Sequence, residues 1–274
     1  MPDQRFLVLG GTGYLGREFV RQLGSAACTG GRNPGPGSTF TQDLTRPFHL
    51  KRDYDWVINC SGVVLSRDKR LYENNLIMIR NIINALEGTK LLHISTIATN
   101  CRNRGPYAES KAAVDRYIRE NCDEWVIVKP PYLYDIDREN NLFRLTRMVR
   151  RHAVPMVHRG SFCIQPTNRS LLVAGILQRM NDLRPGAVYE AGGTDKISYR
   201  DLVNRIARIA GSWYLPVPVP AWFFSLIRGI LSHDVRGFDE DRVTRRNEIL
   251  IEQDLDGDIG KLLRVKHPSG KRFR

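Results

Sequence analysis

A tyrosine and a lysine at helical spacing are the side chains of this chain best suited to proton transfer. Tyr107 and Lys111 lie four positions apart in the segment Tyr-Ala-Glu-Ser-Lys, so a helix would place both on one face. An ammonium near a phenol stabilises the phenolate and lowers the pKa of the tyrosine. The spacing therefore predicts that Tyr107 moves a proton near neutral pH while Lys111 lowers its pKa. Taken alone, such a pair is more often a solvated helix face.

The residues before this pair add a hydroxyl group to the predicted site. A strand is predicted at residues 91–95, and Thr96 follows it. The carboxyl ends of parallel strands meet at one edge of a sheet, where ligands bind. Thr96 is therefore predicted to hydrogen-bond a substrate oxygen and to complete a catalytic set with Tyr107 and Lys111.

A glycine-rich loop near the N-terminus has the spacing of a dinucleotide site. The segment Gly-Gly-Thr-Gly-Tyr-Leu-Gly lies between an apolar strand predicted at residues 6–9 and a helix predicted at residues 14–23. Gly10 allows a tight turn, Gly13 lets the backbone approach a pyrophosphate, and Gly16 lets the helix lie close to the sheet. The N–H groups at the helix start attract the anion. The loop residues predicted to bind the cofactor are Gly10, Thr12, Gly13, Tyr14, Leu15 and Gly16.

An arginine in the loop after the second predicted strand indicates which dinucleotide the site takes. Arg32 follows a strand predicted at residues 26–29, where a site for NAD carries an acidic residue for the ribose 2′-hydroxyl. A guanidinium can instead pair with a 2′-phosphate, so Arg32 favours NADPH over NADH. The alternative is an ordinary surface arginine in a loop rich in glycine and proline.

Further cofactor contacts are predicted near other strand ends. The turn at Asp43 and Leu44 could accept a hydrogen bond from an adenine amino group, although by itself it is only a turn. A strand predicted at residues 56–62 ends in small side chains, which leave room for a ligand at the sheet edge. These small residues are Cys60, Ser61 and Gly62. Lys111 is also predicted to bind the nicotinamide ribose.

Strands and helices alternate through the first half of the chain. Apolar residues recur at helical spacing over residues 72–86, and residues 91–95 and 125–129 are short apolar runs. This alternation is typical of α/β proteins with a Rossmann-type, doubly wound parallel sheet. We therefore expect a dinucleotide-binding domain at residues 1–135, to which later segments such as residues 160–192 return.

The second half of the chain, residues 136–274, is predicted to form a smaller C-terminal α/β region, mostly helical, that binds a substrate or partner. Amphipathic helices are predicted at residues 141–151, 170–180 and 198–210. Three alternate prolines, Pro216, Pro218 and Pro220, predict a stiff extended linker.

Composition narrows the class of protein. The 274 residues carry a formal net charge of +13, and 42% are apolar, enough for a sizeable core. The basic residues lack interleaved aromatics, and an anionic cofactor and substrate use the same positive field, which argues against a nucleic-acid partner. Five cysteines without metal-ligand spacing predict reduced, mostly buried thiols and no metal site. A secretory apolar segment and a run of about 18 apolar residues are both absent from the sequence, so a cytoplasmic protein is expected.

These motifs together resemble the extended or atypical short-chain dehydrogenases/reductases, a family that includes NAD(P)-dependent epimerases and dehydratases. The glycine loop resembles the family's Gly-x-x-Gly-x-x-Gly motif, the run His-Ile-Ser-Thr ending at Thr96 its active-site strand, and Tyr107 with Lys111 its catalytic pair. The segment Lys-Pro-Pro-Tyr-Leu-Tyr is similar to the one lining the nicotinamide side, which implies a contact from Pro130. The likeness covers about residues 5–210.

One branch of this family resembles the chain most. The run from Lys111 through Gln165 and Pro166 is similar to the branch that contains the NADPH-binding accessory subunit of respiratory complex I. This resemblance implies that NADPH could be held structurally rather than turned over.

The motifs and the resemblance together suggest two alternative functions. The first is an NADPH-dependent oxidoreductase or epimerase/dehydratase acting on a carbonyl or carbinol carbon of an anionic metabolite, such as a nucleotide sugar. Arginines that could clamp a substrate phosphate, although such residues are more often plain surface, are Arg144, Arg147, Arg151, Arg159 and Arg169.

The second function is that of a non-catalytic NADPH-binding accessory subunit or a membrane-peripheral interaction protein. An apolar stripe at residues 222–231 and a basic tail at residues 261–274 could dock on an anionic membrane or a larger assembly. The alternative is a stripe that packs on the smaller region and a solvated tail. The family resemblance also implies a homodimer in which helices pair across a two-fold axis.

Overall fold

A parallel sheet of eight strands forms the centre of the molecule. The computed structural model describes residues 4–32, 38–50, 53–64, 66, 68–137, 140–219 and 240–264. In chain order the strands are β1 (Phe6–Leu9), β2 (Ala27–Gly31), β3 (Ser38–Thr41), β4 (Trp56–Asn59), β5 (Lys90–Ile94), β6 (Trp125–Lys129), β7 (Tyr132–Tyr134), β8 (Ala153–Met156), β9 (Cys163–Ile164), β10 (Pro166–Asn168), β11 (Ala187–Gly193), β12 (Ile197–Ser198), β13 (Leu215–Pro218) and β14 (Ile249–Ile251). The order across the central sheet is β14-β11-β6-β5-β4-β1-β2-β3, and each neighbouring pair is parallel. The predicted Rossmann-type α/β fold is confirmed.

Helices cover both faces of this sheet. In chain order they are α1 (Gly16–Leu23), α2 (Glu73–Ala85), α3 (Pro106–Asn121), α4 (Asn141–Arg150), α5 (Arg169–Gln178), α6 (Tyr199–Ile209) and α7 (Leu255–Arg264). Side chains of α1 and α5, such as Phe19 and Ile176, form one core cluster with alternate residues of the central strands. Side chains of α2 and α3, such as Ile79 and Ile118, form another on the opposite face. Because both faces are covered, β1 is buried along its whole length and reads as a continuous apolar run.

A separate apolar cluster lies among α4, α6 and α7. Leu145, Leu202 and Ile259 are buried there, together with Tyr134 of β7. The hydroxyl of Tyr134 donates to Asp258 Oδ2 over 2.8 Å, so the polar end of this buried ring is satisfied. The short strands β7 to β10, β12 and β13 form three two-stranded sheets outside the central one.

The predicted proline-rich segment is extended as expected, but at Pro216 and Pro218 it is a paired strand and not a linker, while Pro220 lies outside the described residues. Residues of β13 pair in parallel with β8, from Leu215 opposite Ala153 onwards. The backbone N–H groups of Leu215 and Val219 donate to the carbonyl oxygens of His152 and Met156. Pro216 and Pro218 alternate with these donors, so their missing N–H groups cost the pair no hydrogen bond.

The structure also bears on the predictions for the basic tail, the apolar stripe and the cysteines. Lys261 and Arg264 belong to the last turn of α7, whereas the rest of the basic tail and the apolar stripe at residues 222–231 lie outside the described residues. All five cysteines are free and half-buried, which is less buried than expected. Among the described helices, none is long and apolar enough to cross a membrane.

Candidate active site

The strand order reverses at β1, which lies between β4 and β2, and the candidate site is at the carboxyl ends of these strands. Such a reversal opens a crevice in α/β proteins. Leu9 is in register with Asn59 of β4, and Asn59 is in register with His93 of β5. The segments that follow these strands therefore meet at one edge of the sheet.

The glycine loop fills the space between β1 and α1 with backbone alone. Gly10 has a φ of 76°, and a Cβ there would lie 2.9 Å from the backbone nitrogen of Ser61. A Cβ on Gly16 would collide with the carbonyl oxygen of Gly10. The N–H of Gly13 donates to that same oxygen over 2.9 Å, which delays the start of α1 to Gly16 instead of the predicted residue 14. The loop thus has the close approach that a pyrophosphate cradle needs.

The start of α1 offers backbone groups to an anion. Leu15 is the N-cap, and no described side chain caps the helix. Arg17 donates to the carbonyl oxygen of Thr12 over 2.9 Å, which fixes the exposed part of the loop. Uncapped N–H groups at a helix N-terminus bind phosphates.

A buried arginine holds the glycine loop from the other side. Arg169 donates to the carbonyl oxygen of Tyr14 over 2.9 Å and stacks its guanidinium 4.6 Å from the centre of the Tyr14 ring. It also pairs with Asp135 at 2.6 Å and approaches Glu18 at 3.6 Å. Arg169 is only 7% exposed. The two terminal nitrogens of Arg169 are thus bonded within the protein, whereas its buried Nε has no hydrogen-bond partner among the described residues. A substrate contact from this arginine stays a prediction.

The residues predicted for the adenosine side lie after β2 and β3. Arg32 is exposed directly beyond the end of β2. Asp43 accepts from the N–H and hydroxyl of Thr45, and these bonds, together with the charge of Arg32, lower the pKa of Asp43. Leu44 is buried in the core, and its carbonyl oxygen accepts from Asn81. Its predicted cofactor contact stays a prediction, without support from its side chain.

Small residues follow β4, as the sequence predicts. The N–H of Cys60 donates to the carbonyl oxygen of Leu9 over 2.9 Å, which continues the pairing of β4 with β1. Ser61 donates its N–H and hydroxyl to Asn59 Oδ1, at 3.0 and 2.6 Å. Gly62 has a φ of 154°, a backbone conformation that L side chains rarely adopt.

The segments after β5 and β6 are joined to each other. Pro130 is buried, and its carbonyl oxygen accepts from the N–H of Ile97 over 3.1 Å. Thr96 is half-buried, and its hydroxyl oxygen accepts from the N–H of Ala98, so it caps the short 3₁₀ turn that follows. The adjacent Ser95 hydroxyl is buried and has no hydrogen-bond partner among the described residues.

Lys111 lies on the face of α3 that is turned to the sheet. Its Nζ donates to the carbonyl oxygen of Ile94 over 2.8 Å and lies 3.0 Å from His93 Nε2. Burial lowers the pKa of Lys111 to about 8, although the charges of Asp115 and Cys60 act in the opposite direction. The structure thus brings Lys111 to the end of β5.

Tyr107 lies one turn earlier on α3 and is half-buried. Burial raises its pKa to about 12, the charges of Asp115 and Tyr72 raise it further, and Arg242 lowers it. The predicted lowering of this pKa by Lys111 is therefore wrong. The cation that acts on Tyr107 comes instead from a distant part of the chain.

The segment that carries Arg242 crosses the same edge of the sheet. Glu240 accepts from the backbone N–H groups of Arg102 and Asn103, just before α3. The N–H of Arg242 donates to the carbonyl oxygen of Cys163, and Gln165 Oε1 accepts from Thr244. Sequence reasoning missed this segment, since no local motif marks residues 240–248 as part of the site.

A family model described as the NAD dependent epimerase/dehydratase family matches residues 6–161, more than half of the chain. The chain belongs to this family. The predicted family and enzyme class are confirmed: members of the epimerase/dehydratase family are nicotinamide-dependent enzymes. The finer resemblance to the complex I accessory subunit stays a prediction.

Several solved structures share the fold of this chain, although their sequences are less than 20% identical to it. RMD from Pseudomonas aeruginosa, complexed with NADPH, is 18% identical, with a TM-score of 0.71 over 95% of this chain and 98% of that one. dTDP-4-dehydrorhamnose reductase from Yersinia enterocolitica is 15% identical, with a TM-score of 0.72 over 95% and 99%. UDP-glucose 4-epimerase with UDP-glucose from Thermotoga maritima is 16% identical, with a TM-score of 0.67 over 95% and 97%. No curated protein matches the sequence.

Proposed function

We propose that this chain is an NADPH-dependent oxidoreductase that acts on the carbonyl or carbinol carbon of an anionic metabolite, with a nucleotide sugar as the leading substrate class. One observation carries the proposal. The bond from Lys111 Nζ to the carbonyl oxygen of Ile94 fixes the face of α3 that bears Tyr107 beside the hydroxyl-bearing end of β5. Epimerisation and dehydration stay within the proposal, because both begin at the same type of carbon.

The residues at the sheet edge fit a nicotinamide dinucleotide. A Cβ on Gly10 or Gly16 would strike backbone atoms of the protein, so only glycine allows this tight loop, and α1 begins without a side-chain cap among the described residues. The other proposed contacts are Thr12, Gly13, Tyr14, Leu15, Arg32, Asp43, Leu44, Cys60, Ser61, Gly62, Lys111 and Pro130. Bound there, the cofactor supplies hydride transfer to or from the substrate carbon.

Tyr107 is the proposed proton donor. Its raised pKa of about 12 keeps the phenol protonated at neutral pH. A protonated phenol can donate to a carbonyl oxygen of the substrate as that oxygen gains negative charge. This protonation state favours the reductase direction. Thr96 would orient the same oxygen, together with the Ser95 hydroxyl, which has no hydrogen-bond partner in the described part of the chain.

Arg32 supports the choice of NADPH. It is exposed at the end of β2, close enough to Asp43 to lower the pKa of that carboxyl. A guanidinium at this place can pair with a 2′-phosphate, whereas NADH carries only a hydroxyl there.

Positive charge near Tyr107 supports an anionic substrate. Arg242 acts on Tyr107 from the segment that crosses the sheet edge. The net charge of +13 adds a long-range attraction for anions. The epimerase from Thermotoga maritima was solved with UDP-glucose, which agrees with a nucleotide sugar here.

A second candidate is a protein that binds NADPH without turning it over. One observation favours it: Lys111 Nζ is bonded within the protein. A membrane or assembly contact would depend on residues 222–231 and the end of the tail, which lie outside the described residues. Homodimer formation is likewise a proposal from family resemblance.

Exchange of the bound nucleotide separates the two candidates. The full chain would be purified, its nucleotide identified by mass spectrometry, and deuterium-labelled NADPH added. An enzyme should bind NADPH and exchange it within minutes. NADPH that stays bound for hours would support the accessory role. A protein that neither co-purifies with a nucleotide nor binds the added NADPH would contradict both candidates.

A further inference from the structure

A chain of buried polar groups connects Lys111 to the loop after β4. The N–H of Ser61 donates to Asn59 Oδ1 over 3.0 Å, and Asn59 Nδ2 lies 3.0 Å from His93 Nδ1. His93 Nε2 lies 3.0 Å from Lys111 Nζ. Asn59, His93 and Lys111 are 3%, 1% and 6% exposed. The protein therefore has to supply the hydrogen-bond partners of all three side chains.

The orientation of the Asn59 amide is fixed from the loop side. A backbone N–H can only donate, so the atom that faces Ser61 N must be the carbonyl oxygen of the amide. The hydroxyl of Ser61 lies 2.6 Å from that same oxygen. The NH₂ group of Asn59 consequently faces His93 Nδ1 and donates to it. His93 Nδ1 must then carry a lone pair.

This assignment determines the other end of the imidazole. A neutral imidazole has one N–H, so a bare Nδ1 places the proton on Nε2. The Nε2–H group then donates to Lys111 Nζ, which accepts only as an uncharged amine. The amine keeps its own N–H for the carbonyl oxygen of Ile94. An ammonium would need a bare Nε2, and the resulting Nδ1–H would face the NH₂ group of Asn59, donor against donor.

We infer that Asn59 and His93 are positioning residues that stabilise the uncharged amine of Lys111 in the geometry described, and that Lys111 gains its charge only when the contacts among His93, Asn59 and Ser61 change. The inference deepens the proposed function and rests on the role proposed there for Lys111. Ser61 belongs to the proposed cofactor site, so the charge of Lys111 is coupled to the loop that would contact the cofactor.

The charges around the two groups agree with this assignment. Burial first, then the charge of Lys111 when it is protonated, and the charge of Lys129 hold the pKa of His93 well below its ordinary value, which keeps the ring neutral. Asp115 on α3 and Cys60 after β4 face Lys111 and favour its charged form, but burial outweighs them. With its pKa lowered in this way, Lys111 can be either an amine or an ammonium near neutral pH, and its hydrogen-bond partners can determine which form is present.

The position of the His93 proton can be measured without substrate. In the full chain labelled with ¹⁵N-histidine, two-bond couplings from the ring protons distinguish protonated from bare ring nitrogens. His93→Gln assigns the signal among the six histidines. One pH unit above the Lys111 pKa of about 8, we expect a protonated Nε2 and a bare Nδ1. As the pH falls through that value, the proton should move to Nδ1.

Asn59→Asp tests the direction of control. A carboxylate accepts from Nδ1–H, so the variant should show the Nδ1–H form on both sides of the titration. The Lys111 titration, followed by ¹³C-labelled lysine, should move toward the ordinary value of 10.5. Asn75→Asp is the matched control: Asn75 is also buried, but its amide donates to Val63 and Ser110. This control should leave the His93 proton on Nε2 above the Lys111 pKa.

A protonated Nδ1 in the unmodified protein at high pH would overturn the inference, as would a His93 signal that does not change while Lys111 titrates. Equal shifts of Lys111 in Asn59→Asp and Asn75→Asp would also overturn it, because the cause would then be any buried carboxylate. If Asn59→Asp fails to fold, the spectrum of the unmodified protein still decides. If the protein shows no turnover, the proposed catalysis is wrong, but these spectra still test the inference about Lys111. In an active protein, the pH at which turnover changes should move with the Lys111 titration in Asn59→Asp.

Discussion

Lys111 Nζ lies 2.8 Å from the carbonyl oxygen of Ile94, the residue before Ser95. This bond joins α3 to the carboxyl end of β5. Tyr107 lies one turn earlier on the same helix, so its position follows from the same bond. The proposed catalytic side chains therefore depend on a main-chain acceptor at a strand end.

Tyr107→Phe should abolish most of the catalysis while leaving the cofactor bound. Loss of a general acid reduces turnover by about 10²- to 10⁴-fold. The dissociation constant for NADPH, measured by fluorescence, should change little. Tyr72→Phe is the control, because Tyr72 is buried and its ring centre lies 6.4 Å from that of Tyr107. Equal turnover losses in the two variants would show that Tyr107 has no special role.

Arg32→Ala should weaken the binding of NADPH and leave the binding of NADH unchanged. Hydrogen bonds to a charged group contribute about 1.5–3 kcal/mol, so NADPH should bind roughly 10- to 100-fold more weakly. Calorimetric titration with both nucleotides measures the difference. Arg46→Ala removes another exposed arginine whose charge acts on Asp43 and should have a far smaller effect. Arg32 would not be the 2′-phosphate contact if both nucleotides weakened alike.

Lys111→Met should change how stability depends on pH. The pKa of Lys111 is about 8 in the folded state and 10.5 ordinarily, so the unfolded chain binds more protons between these values. The contribution of Lys111 to the free energy of unfolding is therefore smallest below pH 8 and increases as the pH rises from about 8 to 10. The size is about 3 kcal/mol, from 1.36 kcal/mol per pKa unit. Urea unfolding at several pH values should show this rise in the unmodified protein and its loss in Lys111→Met. The same rise in both would rule out Lys111 as its source.

Arg169→Met should destabilise the protein and loosen the glycine loop. Removing one partner of a buried ion pair costs about 3–5 kcal/mol, because Asp135 and Glu18 would lose their buried cation. NADPH affinity should fall as well, since Tyr14 loses its donor. Arg21→Met is the control: Arg21 also pairs with Glu18, but its side chain is 64% exposed, so about 1 kcal/mol or less is expected. Urea unfolding compares the two, and similar losses would contradict the anchoring role.

The sequence was sufficient for the parts of the fold that depend on local patterns. Apolar runs followed by helical periodicity predict the strands and helices of the first half, and the glycine spacing predicts the loop at Gly10. Helix α1 begins two residues late because a bond from Gly13 to Gly10 closes a turn first. The linker prediction failed at Pro216 because alternate residues can still donate to a neighbouring strand.

The remaining parts of the site depend on contacts between distant segments. Arg169 contacts Tyr14 across 155 positions, and Arg242 acts on Tyr107 from more than a hundred positions away. His93 is part of a recognisable strand motif, yet only the packed structure places it between Asn59 and Lys111. Burial likewise reverses the predicted shift in the Tyr107 pKa, and a single sequence contains no direct measure of burial at that position.

Transfer of deuterium from labelled NADPH to a substrate tests the proposed function most directly. The full chain would be incubated with NADPH deuterated at the transferring position and a set of nucleoside diphosphate keto-sugars, and products would be weighed by mass spectrometry. We predict one product that gains a single deuterium with the unmodified protein and at least 10²-fold less of it with Tyr107→Phe. Tight NADPH binding without deuterium in any product, or equal transfer by Tyr107→Phe, would contradict the proposed reduction.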